Sequence, residues 1–215
     1  MAFDTQILDL VNATYSDQTA MDGWATDAVK EITNILPPLL KEKCTTETTL
    51  NHSATTMDMD GVGEILYVNR LSADSGGSRI PCRKVPSMYG ELSNDSNSLY
   101  KASVTDPVYW ILSSGDAAIL NVIPTPTEDQ TAIVYHVGYT SVDVSAHSTI
   151  ANFPDEAEYL VVLYTAIKVA ESLMISEEDP ELFAPIIATL KQNYDKGIQM
   201  LIAQGVPQPQ KREAK

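Results

Sequence analysis

The chain is poor in the residues from which reaction centres and covalent frameworks are built. In 215 residues it has two cysteines, Cys44 and Cys82, and three histidines, His52, His136 and His147. The cysteines form no CxxC pair and lie far apart, and a chain of this length needs no staple, so two reduced buried thiols are expected. The five scattered Cys and His residues give no spacing for four zinc ligands. Neither cysteine carries the local signature of a nucleophile with its base.

Positive charge is scarce as well. Fourteen Lys and Arg stand against 29 Asp and Glu, a formal charge of −15 and a pI near 4.4. A surface that acidic repels phosphates and gains nothing from anionic lipid, which argues against ordinary DNA or RNA binding. It suits a place beside DNA where the task is not to stick. Met1-Ala2-Phe3-Asp4 shows no basic region ahead of an apolar run, and no uninterrupted stretch approaches a membrane span. Synthesis in a cytosol, followed by use there or in an assembly built there, fits these features.

Hydrophobic residues supply 44% of the chain and charged residues 20%, enough for a packed core. Ile7, Leu8, Leu10 and Val11 start a helical period. Asp17 to Leu36 predicts a second helix with Met21, Trp24, Ala28, Ile32 and Ile35 on one stripe. Ser16 or Asp17 caps it, and Pro37 and Pro38 end it. The pattern then turns to strands. Ile65 to Val68 reads as one strand. Val108 to Leu112, Ile119 to Ile123 and Ile133 to Tyr139 read as a meander, with one face of the last run more exposed. Helices return with Asn152 as the expected cap and Pro154 in the first turn, leading into the apolar run Tyr159 to Ile175. Asp179-Pro180-Glu181 opens a last helix bearing Phe183, Ile187, Leu190, Tyr194, Ile198, Leu201 and Ile202, with Pro185 near its start and Gly205 at its end.

The expected fold class is α+β: a helical bundle domain built from the N- and C-terminal helices, with a central antiparallel β-rich insertion. The boundaries are helices over 1–43, the insertion over 44–150, completing helices over 151–205 and an extended tail over 206–215.

The strings that resemble functional motifs fail on inspection. Thr56-Met57-Asp58-Met59-Asp60-Gly61 matches part of a calcium loop, yet Thr56 stands where Asp is needed and Tyr67 where a bidentate Glu is needed, so a plain turn is expected. Gly76-Gly77-Ser78 lacks the following Lys and opens no helix, so it cradles no phosphate. Tyr109 and Trp110 read as core or interface residues. Glu177-Glu178 reads as a solvated turn. No catalytic, cofactor-binding or metal residue is expected, and the chain is not expected to be an enzyme.

Three passages resemble tailed-phage virion proteins: Asn97-Ser98-Leu99-Tyr100, Asp106-Pro107-Val108-Tyr109-Trp110-Ile111 and Val122-Ile123-Pro124-Thr125-Pro126-Thr127. So does Asn152-Phe153-Pro154-Asp155-Glu156-Ala157-Glu158-Tyr159-Leu160-Val161, which opens an apolar helix. With the N-terminal helices they resemble the head-to-tail connector group that includes tail tubular protein A and related portal-docking adaptors. The resemblance implies a ring of about twelve copies, synthesised in the host cytoplasm and placed at the head-tail junction of the virion. Its implied partners are the portal protein, a tail nozzle or tail-tube protein, and itself. DNA passes through without specific binding, and no membrane is involved. The tail is the implied portal grip, through Val206, Pro207, Pro209, Lys211, Arg212 and Lys215; a disordered solubilising tail is the alternative. Another minor neck, tail or capsid-associated virion protein shares the same local features. An acidic cytosolic DNA mimic rests on charge alone.

Overall fold

The computed structural model describes residues 1–71, 77–114, 117–176 and 179–204. Its fold is α+β, divided between two units. Met1–Cys44 and Tyr139–Lys215 form a helical unit, and Thr45–Gly138 form a β-rich unit.

In the helical unit, α1 (Phe3–Val11) buries Phe3, Ile7 and Val11, one per turn. Asn12 then takes a left-handed conformation, φ 54°, and its N–H bonds to the Leu8 carbonyl at 2.9 Å to close the helix. Asp17 caps α2 (Gln18–Ile35) by accepting the Ala20 N–H at 3.0 Å. Met21, Ala25, Ala28, Val29 and Ile32 form its buried stripe. Ile35, expected on that stripe, is instead exposed. The prolines end α2, and Pro38 opens the short α3 (Pro38–Lys41).

The centre of this unit is α5 (Asp155–Ser176), which packs against α1, α2 and α6 (Pro180–Gln204). Its length and mean hydropathy of 1.5 would suit a membrane span. Yet Leu160, Val161, Val162 and Leu163 are all buried, which places protein on several of its sides. Asn152 is not its cap. That residue is left-handed, φ 52°, and the helix starts behind Pro154, whose carbonyl accepts the Ala157 N–H. Asp179 caps α6 through the Leu182 N–H at 3.1 Å. Residues 139–150, expected in the insertion, are tied to the helices. Val142 N–H donates to Thr26 Oγ1 and Val144 N–H to Asp22 Oδ1, at 3.1 and 2.9 Å, so polar side chains of α2 take up backbone that has no ladder.

The β-rich unit holds two four-stranded sheets. One runs β1 (Thr45–Leu50), β8 (Ala132–Val137), β3 (Ile65–Leu71), β4 (Arg79–Pro81). The other runs β2 (Thr56–Asp58), β7 (Ala117–Ile123), β6 (Val108–Ser114), β5 (Arg83–Lys84). All pairs are antiparallel except β5 with β6, so the expectation of an antiparallel insertion holds for all but that edge. Inward residues of both sheets, among them Leu50, Met57, Val68, Leu120, Val122 and Val134, meet in one core.

The expected meander is half right. β6 and β7 pair in register from Val108↔Ile123 to Ser114↔Ala117, but β8 crosses to the other sheet and lies between β1 and β3. Pro124 and Pro126 offer no N–H to a third strand, so the chain leaves the first sheet there. As a central strand, β8 is covered on both faces, against the expectation of one exposed face. Its His136 is buried, within 3.1 Å of Thr48 Oγ1 and 3.2 Å of the Val137 carbonyl.

Candidate functional site

No three His, Cys, Asp or Glu side chains gather among the described residues to hold a metal. Cys44 and Cys82 are free and buried, one in each unit. Burial pushes both thiols up, Cys82 to about 12, so neither supplies a thiolate near neutral pH. The calcium-like string forms strand β2 and a turn, in which the Val62 N–H bonds to the Met59 carbonyl and Gly61 supplies φ 67°.

What the surface offers is contact area. In the helical unit, the start of α5 and the end of α6 enclose a hollow of about 190 Å³ lined by Glu156, Tyr159, Leu160, Gly197, Met200 and Leu201. Gly197 faces Leu160, and a Cβ there would overlap the Cδ2 methyl, so the glycine leaves room for that side chain between the two helices. Tyr159 and Met200 are exposed, 53% and 66%. Lys43 Nζ bonds to both oxygens of Glu156 at 2.8 and 3.0 Å, and that contact holds the carboxyl below its ordinary range. Asp155, Glu156 and Glu158 give the first turn of α5 a negative end that complements the helix dipole.

Four turns of helix away, Glu171 joins the two helices by accepting from Lys191 at 2.8 Å and Lys168 at 3.3 Å. These contacts lower its pKa, with the Lys191 bond the larger cause. Tyr194 leans on Tyr164 at 5.9 Å, and its hydroxyl reaches Glu31 at 3.5 Å. Burial first, and the Glu31 charge second, raise the Tyr194 pKa.

The β-rich unit carries a second surface. Residues 86–101, between β5 and β6, form a short 3₁₀ turn at Ser87–Tyr89, α4 (Gly90–Asn94) and a run of turns. The hollow beside them, about 230 Å³, is lined by Arg83, Lys84, Val85, Pro86, Tyr89, Ser93 and Tyr100. Gly90 has a negative φ but sits on the Trp110 indole, where a Cβ would overlap the ring.

The passages that carry the family resemblance fall at distinct places. Leu99 and Tyr100 are on this exposed segment, Asp106 binds Arg83 at 2.9 Å, and Val122 and Ile123 end β7. Asp155 to Val161 open α5. The tail residues Val206, Pro207, Pro209, Lys211, Arg212 and Lys215 lie outside the described residues, as do Glu177, Glu178 and Gly76. Sequence reasoning missed Arg70, which is 2% exposed and holds the crossover between the sheets. The available signal was a charged residue two places after Val68 in a strand, which puts both on the same, inward face.

The model of the SU10 adaptor protein family matches residues 3–213. No curated protein matches the chain by sequence.

Proposed function

We propose a function from one premise: the chain belongs to the SU10 adaptor protein family. It is a structural adaptor of the tailed-phage virion, at the head-tail junction, contacting portal and tail components. The family match carries this reading, because it runs through nearly the whole chain rather than through one motif.

The finer reading is a closed ring of copies, about twelve, that joins the portal to a tail nozzle or tail-tube protein. The charge of −15, repeated around a ring, gives a negative channel through which packaged DNA slides without binding. The tail is the portal grip. Pro207 and Pro209 restrict the free segment and lower its ordering cost, and Lys211, Arg212 and Lys215 meet acidic portal surface. The family match reaches residue 213, so it takes in Lys211 and Arg212.

The test is negative-stain imaging of the chain with its portal, full length beside a chain truncated after Gly205. A ring capping the portal only with the tail present supports both statements. A ring formed equally well by both chains removes the tail from the grip, and no association by either removes the adaptor reading.

A further inference from the structure

Residues 86–101 present large apolar side chains to water in an ordered setting. Leu99 is fully exposed, Met88 is 72% exposed, and Leu92 and Tyr100 are exposed beside them. Tyr100 leans on Tyr89 with ring centroids 4.8 Å apart. Ser93 Oγ donates to the Tyr89 carbonyl at 2.8 Å, and the Ala102 N–H donates to the Ser93 carbonyl at 2.9 Å. The tyrosine pair and these hydrogen bonds hold the segment up as a built knob, and exposed apolar side chains grouped on one short segment mark a contact surface.

Charge says what it contacts. Residues 79–101 carry Arg79, Arg83, Lys84 and Lys101 against only Glu91 and Asp95, in a chain of −15. The helical unit carries 18 of the 29 acids and nine of the 14 basic residues, a formal −9. Its hollow at the α5 start and α6 end combines exposed Tyr159 and Met200 with Glu156, which Lys43 already pairs, and Asp155 adds a carboxylate in the same first turn of α5. A knob-to-knob contact would set the same basic groups against one another. A knob-to-hollow contact sets lysines against carboxylates and apolar side chains against apolar side chains. Two different, complementary patches on one chain are what a head-to-tail interface requires.

We propose that the occupant of this surface is a second copy of the chain: Leu99 and Tyr100 of one copy seat over the hollow of Tyr159 and Met200 in the next, with Lys84 and Lys101 facing Asp155 at the acidic start of α5. The contact rests on the ring reading above and identifies its repeating interface.

The test pairs Leu99→Cys with Met200→Cys in the full-length chain, assembled on its portal and then oxidised. The native Cys44 and Cys82 are buried and do not compete. The expected result is a ladder of covalent oligomers from the double variant and none from either single variant. Intact portal-bound rings without a ladder, or a cross-link confined to monomers, overturn this contact and leave the ring reading standing. No ring from the unsubstituted chain overturns the ring reading and the contact with it. In a second measurement, Leu99→Asp abolishes ring assembly with an unchanged melting temperature. Rings that form normally from that variant also overturn the contact.

Discussion

Arg70 Nε donates to the carbonyl of Pro124 at 2.8 Å, from the sheet of β3 to the loop that leaves β7 for β8. The same guanidinium reaches the Thr125 carbonyl and the Gln130 side chain, each at 3.1 Å. Pro124 and Pro126 keep the loop out of any ladder, so its carbonyls need donors from elsewhere. One buried, forked donor set supplies them.

Arg70→Ala therefore leaves three part-buried acceptors without their donor and opens a void where the buried side chain stood. The expected loss is about 2–4 kcal/mol, read as a lower urea midpoint with far-UV ellipticity kept in native buffer. Arg70→Lys restores the charge without the fork and recovers less than half of the loss. Full recovery by lysine would mean that charge rather than geometry holds the loop.

Gly90→Ala tests a close contact in the knob. Alanine gains up to about 1 kcal/mol over glycine in a helix, and the backbone at Gly90 accepts it. The added Cβ overlaps the rigid indole of Trp110, which is 9% exposed. Overpacking of this kind costs about 1–3 kcal/mol, so the net effect is destabilising. Combining it with Trp110→Phe removes most of the penalty in a double-substitution cycle. An unchanged melting temperature for Gly90→Ala alone would refute the contact.

The long helices were legible because each has a strong local signal: Asp17 before α2, the apolar run of α5, and Asp179 before α6; the short α3 and α4 carry none and were not foreseen. The hairpin of β6 and β7 was legible for the same reason. What escaped depends on distant residues. The alternation of Ile133, Tyr135 and Val137 says strand but not which neighbours flank it, and β8 gained cover on both faces only by crossing sheets. Residues 139–150 carry no period because side chains of α2, Asp22 and Thr26, bind them. Asn97 to Tyr100 stood out in the sequence only as a passage resembling phage virion proteins, with nothing to say that Leu99 faces solvent. Only the fold puts it outside.

Alkaline pH should weaken the β-rich unit through its buried Cys82 thiol. The Cys82 thiol rises from an ordinary value of 9.0 to about 12, through burial and against the pull of Arg70. The unfolded state then loses this proton first. Stability from the neutral thiol is fully present below about pH 9 and is lost as pH rises toward about 12. Tyr109, raised by burial, adds in the same direction. Urea midpoints at pH 8, 9.5 and 10.5 should fall, and Cys82→Ala should flatten part of the slope. At pH 8 a thiol reagent should label neither cysteine until the chain unfolds. Rapid native labelling of Cys82 would contradict its burial.

Salt should promote ring assembly, although the contact proposed between copies pairs opposite charges. Two bodies of −15 with centres about 40 Å apart repel by roughly 6 kcal/mol at 10 mM salt, where the screening length is about 30 Å. At 150 mM, with a length of about 8 Å, the same repulsion falls to roughly 0.2 kcal/mol. The attraction of Lys84 and Lys101 for carboxylates acts at contact and is screened far less. Assembly on the portal, followed by mass photometry, should therefore be weak at 10 mM, rise toward 150 mM and change little above it. Leu99→Asp should stay unassembled at every salt concentration, since screening cannot replace a missing apolar contact. Assembly that is best at 10 mM would mean that long-range attraction between the acidic helical unit and the basic knob outweighs the repulsion of whole chains.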